Sequence, residues 1–147
     1  MVQHVRNVDR TLLESYIRRA YPINSLTVKW AYLDPPYDSL PDAGTVDNDL
    51  FWDKFWNPTK FFNDGYARYY GMAIDNGGFM RGLAAGIPST VAAGPAGVPG
   101  VNANPAGASG WDFDQSYGDW YGAHELGHTF GRYHAMFCGA TGGAACT

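Results

Sequence analysis

Charge is scarce in this chain, and basic charge scarcest of all. Lysine and arginine number 10 against 14 aspartates and glutamates in 147 residues, for a net charge of −4, and Arg18-Arg19 is the longest basic run. A surface that tracks a phosphate backbone needs clustered positive charge, so nucleic acid is not an expected partner. No apolar run approaches the ~20 residues that a spanning helix needs, so no membrane span is expected. Residues 1–7 (Met-Val-Gln-His-Val-Arg-Asn) contain no apolar core of a secretory signal, and an exported protein would carry that signal upstream. Histidine is also rare: there are four, and three of them fall within eleven residues. What the chain has in quantity is aromatic side chains, with five Trp, ten Tyr and eight Phe. A length of 147 residues can bury a real core as one domain.

The clustered histidines lie in the segment His124-Glu125-Leu126-Gly127-His128-Thr129-Phe130-Gly131-Arg132-Tyr133-His134, which reads H-E-x-x-H-x-x-G-x-x-H. On a helix, residues four apart share a face, so His124 and His128 can point at one ion. Glu125 is rotated one residue away; it replaces neither ligand but can reach a water held there. His134 could not join them on a continuing helix. It would be turned about 120° from His128 and lie roughly 9 Å further along the axis. The chain must therefore turn sharply near Phe130, and Gly131 is the residue that permits positive φ at a helix end. Three protein nitrogens leave a fourth position open, the mark of a catalytic zinc rather than a structural one.

This eleven-residue stretch resembles the metzincin clan of zinc-dependent endopeptidases. The resemblance implies that His124, His128 and His134 are metal ligands for Zn²⁺, that Glu125 is the general base, and that Gly131 is the hinge. It implies a peptide or protein substrate, and an extracellular or cell-surface location. It also implies an α+β fold: a twisted mixed sheet of four to five strands with two backing helices, arranged like a metzincin N-terminal subdomain above an active-site helix. Metzincins carry a Met-containing turn after the third histidine. Here Met136 is the sole candidate and lies only two residues beyond His134, too close. The chain thus reads as one zinc metallopeptidase-like domain over 1–147, either lacking most of a C-terminal subdomain or unusually abbreviated. A monomer is expected. Cys138 and Cys146 flank a short Gly/Ala-rich loop. In an exported protein they would pair as a disulfide; the alternative is two free thiols in a tail. The rival functions are a non-catalytic zinc-binding domain that keeps the metal for stability, and a zinc hydrolase with a non-protein substrate.

Upstream, periodicity predicts a helix capped by Asp9, with Val8 and Leu13 as its staple and Leu12, Leu13, Tyr16, Ile17 and Ala20 as its apolar face, ended by Pro22. Alternation over 26–32 predicts a strand. A second helix is expected from an Asp47 cap with Val46 and Phe51 as staple, packing the stripe Phe51, Trp52, Phe55 and Trp56 into the core and closing at Asn57-Pro58. Tyr69–Ile74 reads as a buried strand, with weaker strands over 80–87 and 89–93. One of these would border the cleft as an edge to which a peptide adds. Residues 94–110 read as a long Gly/Ala/Pro/Asn-rich loop. Asp114 or Ser116 could cap the metal helix, and Asp119 could back a histidine or simply face solvent.

Overall fold

The computed structural model describes residues 5–33, 42–56, 66–74, 82–96 and 117–134. These build an α+β architecture of three helices and a small mixed sheet. The fourth and fifth strands expected from the sequence are not found among the described residues.

Helix α1 spans Asn7–Ala20. Asp9 does not stand at its cap. It sits in the first turn, buried, where its carboxylate accepts from the backbone N–H, Nε and a terminal nitrogen of Arg6, at 3.2, 2.9 and 2.7 Å. The backbone N–H of the cap residue is thus met by a residue three positions in, as in one half of a capping box. Val8 is exposed, so the staple does not form, whereas Leu13 is buried. The chain leaves the helix through Tyr21 into Pro22, which cannot continue it.

Residues 26–32 form no strand. The segment instead runs back along α1. Arg18 donates to the Leu26 carbonyl, Trp30 Nε1 donates to Glu14, and the Arg10 guanidinium lies over the Trp30 and Tyr32 rings. Its alternation is genuine, but its partner is a helix surface of long charged side chains rather than a neighbouring strand.

Helix α2 spans Ala43–Trp56. Asp42, not Asp47, satisfies its start, its Oδ1 accepting from the Thr45 N–H at 2.8 Å. Asp47 lies a turn inside the helix and is buried. The inward stripe is Ala43, Val46, Asp47 and Leu50, spaced as one helical face. The aromatic stripe is therefore turned the other way: Phe51, Trp52, Phe55 and Trp56 are 48, 48, 64 and 70% exposed. The expectation that they pack into the core is wrong.

Strand β1 is Tyr69–Ile74, β2 is Leu83–Ala84 and β3 is Val91–Ala96. The sheet order is β1-β3-β2, with β1 parallel and β2 antiparallel to the central β3. All six residues of β3 are buried, and its small side chains let helices close on both faces. Pro95, which has no N–H to donate, lies beyond the stretch of β3 that pairs with β2. A Cβ at Gly71 would strike Val46 of α2, whereas the next residue back, Tyr70, packs against Gly122 of α3. Successive strand residues face opposite sides, so α2 covers one face of the sheet, and α3, with α1 against it, covers the other. No helix among the described residues is long and apolar enough to cross a membrane.

Candidate metal centre

Helix α3 spans Gly118–Thr129, preceded by Tyr117, which makes no side-chain cap bond. Asp114 and Ser116, the expected caps, lie outside the described residues, as do Asn57-Pro58, residues 97–110, Met136, Cys138 and Cys146. The buried face of α3 includes Gly122, Ala123, Glu125, Leu126, His128 and Thr129. At Gly122, α3 approaches its neighbours closely: a Cβ there would lie 2.6 Å from Leu13 and 3.1 Å from the Tyr70 ring.

The helix stops as the motif requires. Gly131 takes φ +82°, the left-handed conformation that glycine enters without penalty. The Gly131 N–H donates to the His128 carbonyl at 2.9 Å, and the Arg132 N–H to the Gly127 carbonyl at 3.0 Å. This pair of bonds is a Schellman turn, which satisfies the last carbonyls and reverses the chain. The reversal brings His134 back over the helix.

The three imidazoles then converge. Their Nε2 atoms are 2.9 Å apart for His124 and His134, 3.2 Å for His124 and His128, and 3.1 Å for His128 and His134. His128 Nδ1 lies 2.6 Å from the Arg132 carbonyl oxygen. A carbonyl only accepts, so Nδ1 carries the proton and Nε2 presents a bare lone pair to the other two rings. Three nitrogens facing one point in this way are suited to an ion. At Zn–N near 2.0–2.1 Å, tetrahedral ligands stand roughly 3.3 Å apart, close to the spacing observed. His124, His128 and His134 thus form a group that can hold a metal ion. Burial, helped by the neighbouring His128 and His134, lowers the His124 pKa, which favours the neutral, ligating form. The Trp120 ring stacks on His124 at 5.3 Å and 23°, steadying its plane. His128 is buried, His124 half-buried and His134 exposed, so the cluster opens to solvent on the side of the returning loop.

Glu125 is 6% exposed. Burial raises its pKa, while the proximity of His128 and the Ala84 N–H, which donates to it, pull the other way. Ala85 N–H bonds to Val91 of β3, so the neighbouring Ala84 N–H faces away from β3 at the edge of the sheet. The carboxylate is therefore pinned between its helix and the edge strand β2. Beside His124, on the α1 side, is an open depression of about 260 Å³ lined by Tyr16, Ala20, Tyr21, Trp120, Ala123 and His124. Tyr21, one of its lining residues, donates its hydroxyl to the Ala123 carbonyl at 2.5 Å.

The three imidazoles named from the sequence do converge, and Gly131 takes the positive φ expected of it. Sequence reasoning missed the Arg132 carbonyl as the group that orients His128; Asp119 instead accepts from the Trp120 N–H. That carbonyl could have been inferred, because a Schellman turn at Gly131 carries Arg132 back past the second histidine. Trp120, four residues before His124, could also have been placed on the ligand face by helical spacing. Nothing in the sequence signalled the contact with Ala84. Comparison of the chain with protein-family models, with curated proteins and with solved structures finds no match.

Proposed function

We propose that the chain is a zinc-dependent peptidase of metzincin type, with His124, His128 and His134 as the ligands and Glu125 as the general base. The observation that carries this reading is the convergence of three Nε2 atoms within 3.2 Å of one another, with the buried carboxylate of Glu125 on the same helix and outside that cluster. A purely structural site has no use for that carboxylate. When bound, zinc would supply Lewis acidity toward a carbonyl and lower the pKa of a coordinated water.

The protein's own residues do the rest. His128, locked by the Arg132 carbonyl, and His124, stacked on Trp120, keep their Nε2 lone pairs aimed at one point. Glu125 accepts a proton from the attacking water on a carboxylate oxygen and returns it to the leaving amine, a role worth about 10²–10⁴ in rate. Its burial keeps it basic enough for the task. Strand β2 stands at the sheet edge beside Glu125, where the Ala84 N–H is held by Glu125 and the outward Ala84 carbonyl is left to accept from the main chain of an extended peptide. We place one side chain of such a peptide in the open depression beside His124. We place the enzyme outside the cell, acting on peptides or proteins.

The test is hydrolysis of quenched-fluorescent peptides by the purified chain, before and after chelation and after zinc is restored. Zinc-dependent cleavage is expected. A zinc-loaded protein that cleaves nothing across a broad peptide library would leave only a metal-binding domain.

A further inference from the structure

Tyr21 meets the metal helix at successive points along one face. Its hydroxyl donates to the Ala123 carbonyl. The same hydroxyl lies against Gly127, where a Cβ would stand 3.3 Å from it. Its ring packs on Phe130, with centroids 5.7 Å apart and planes at 56°. Residues 123, 127 and 130 are spaced i, i+4 and i+7, which sets them on one stripe of α3 and its end. Each immediately precedes a residue of the site: Ala123 comes before His124, Gly127 before His128 and Phe130 before the hinge Gly131.

These contacts reach the ligands through the backbone. A peptide unit is planar, so a donor that fixes the Ala123 carbonyl also fixes the N and Cα of His124. The Gly127 carbonyl accepts from the N–H groups of Phe130 and Arg132 at 3.1 and 3.0 Å, so the residue under the Tyr21 hydroxyl is the one on which the helix stop is built. Neither feature is needed to make the helix. The Ala123 carbonyl already faces the Gly127 N–H in the helical ladder, and a glycine inside a helix is less stable than an alanine. Tyr21 is itself well anchored. Its N–H donates to the Ile17 carbonyl at 3.0 Å at the end of α1, and α1 is seated on α3 by Leu13 against Gly122. Burial, with Tyr16 nearby, raises the Tyr21 pKa, so the hydroxyl keeps the proton that it donates.

We propose that Tyr21 is a positioning residue for the three-histidine site, bracing from the end of α1 the stripe of α3 that sets where His124, His128 and the turn at Gly131 stand. This rests on the reading that the site takes a divalent metal, and not on peptide hydrolysis.

The test is metal binding by Tyr21→Phe, which keeps the ring and deletes the hydroxyl. Zinc affinity, measured by competition with a chromophoric chelator, should fall about tenfold, the low end of the effect of groups that stand behind a ligand. The visible absorption bands of bound Co²⁺, which report ligand geometry, should shift or weaken in the same variant, while the far-UV circular dichroism of the metal-free protein stays that of the wild type. Tyr21→Ala, which also takes the ring away from Phe130, should lose more, toward about a hundredfold. A role in stability alone would lower the urea midpoint of the metal-free protein and leave the zinc affinity of the folded protein unchanged, and that result overturns the proposal. Should Tyr21→Ala not fold, Tyr21→Phe decides by itself. A wild type that takes up neither Zn²⁺ nor Co²⁺ overturns the proposal together with the metal site. One that binds zinc and cleaves no peptide overturns the peptidase reading alone.

Discussion

Helices α2 and α3 close on opposite faces of one small sheet, and they turn opposite kinds of side chain toward it. The inner face of α3 carries polar groups with partners. Glu125 takes the Ala84 N–H, His128 meets the Arg132 carbonyl, and Thr129 donates to the Leu126 carbonyl at 2.7 Å. The inner face of α2 carries Val46 and Leu50 with the unpartnered Asp47, and its large rings point outward. Those rings stack edge-on among themselves, Phe51 on Trp52 at 5.5 Å and Phe55 on Trp56 at 5.1 Å. Hydrophobicity did not choose the buried face of α2. The sheet did: β3 is built of Val, Ala, Gly and Pro, and Val46 already touches the space where a Gly71 side chain would be. A surface that flat and close admits a Val or a Leu, not a Trp.

The contrast can be broken or sharpened by experiment. The largest effect is expected on α3, where Glu125→Gln should reduce peptide hydrolysis by about 10²–10⁴ while elemental analysis finds zinc undiminished. Wild-type turnover in that variant would remove the base. On α2, Leu50→Ala should destabilise by about 2–5 kcal/mol, whereas Trp56→Ala, despite deleting a larger side chain, should stay within about 0.5 kcal/mol. Equal losses in urea melts would put the aromatic stripe back in the core. Gly131→Ala should destabilise by about 1–2 kcal/mol, because an alanine must enter the left-handed region, and should weaken zinc binding with it. Tight zinc binding at full strength would mean that His134 reaches the site by another path.

The gentlest test needs only a pH series. Burial first, and then the Glu125 charge, push Asp47 to about 7, while the unfolded chain releases that proton near 3.9. Between those values the folded state holds a proton that the unfolded state has lost, so this contribution to stability falls as pH rises and levels off above about 7. Denaturation midpoints should show the fall in the wild type and a flatter profile in Asp47→Asn. Identical profiles would assign the dependence to other groups.

How far the chain could be read depended on how local the cause was. The helix of the motif, its glycine stop and the meeting of its histidines rest on contacts within eleven residues, and all were legible. The α+β class and the strand at Tyr69–Ile74 were legible as well, from periodicity. The caps were misread by a few positions, because Asp9 and Asp47 each looked like a cap, while Asp9 accepts from Arg6 in one case and Asp42 accepts from the Thr45 N–H in the other. The strand expected over 26–32 failed because alternation marks two faces but does not say what either face meets.

Taken alone, then, the order of residues determined which three imidazoles meet and how, because helical spacing and one positive-φ glycine suffice to bring them into a group that could hold a metal ion. Only the tertiary structure decided which side of α2 is buried, that β2 would be the edge holding Glu125, and that Asp47 would be buried with Val46 and Leu50. Those outcomes depend on the room left beside a neighbouring element, and a side chain's own chemistry carries no record of that room.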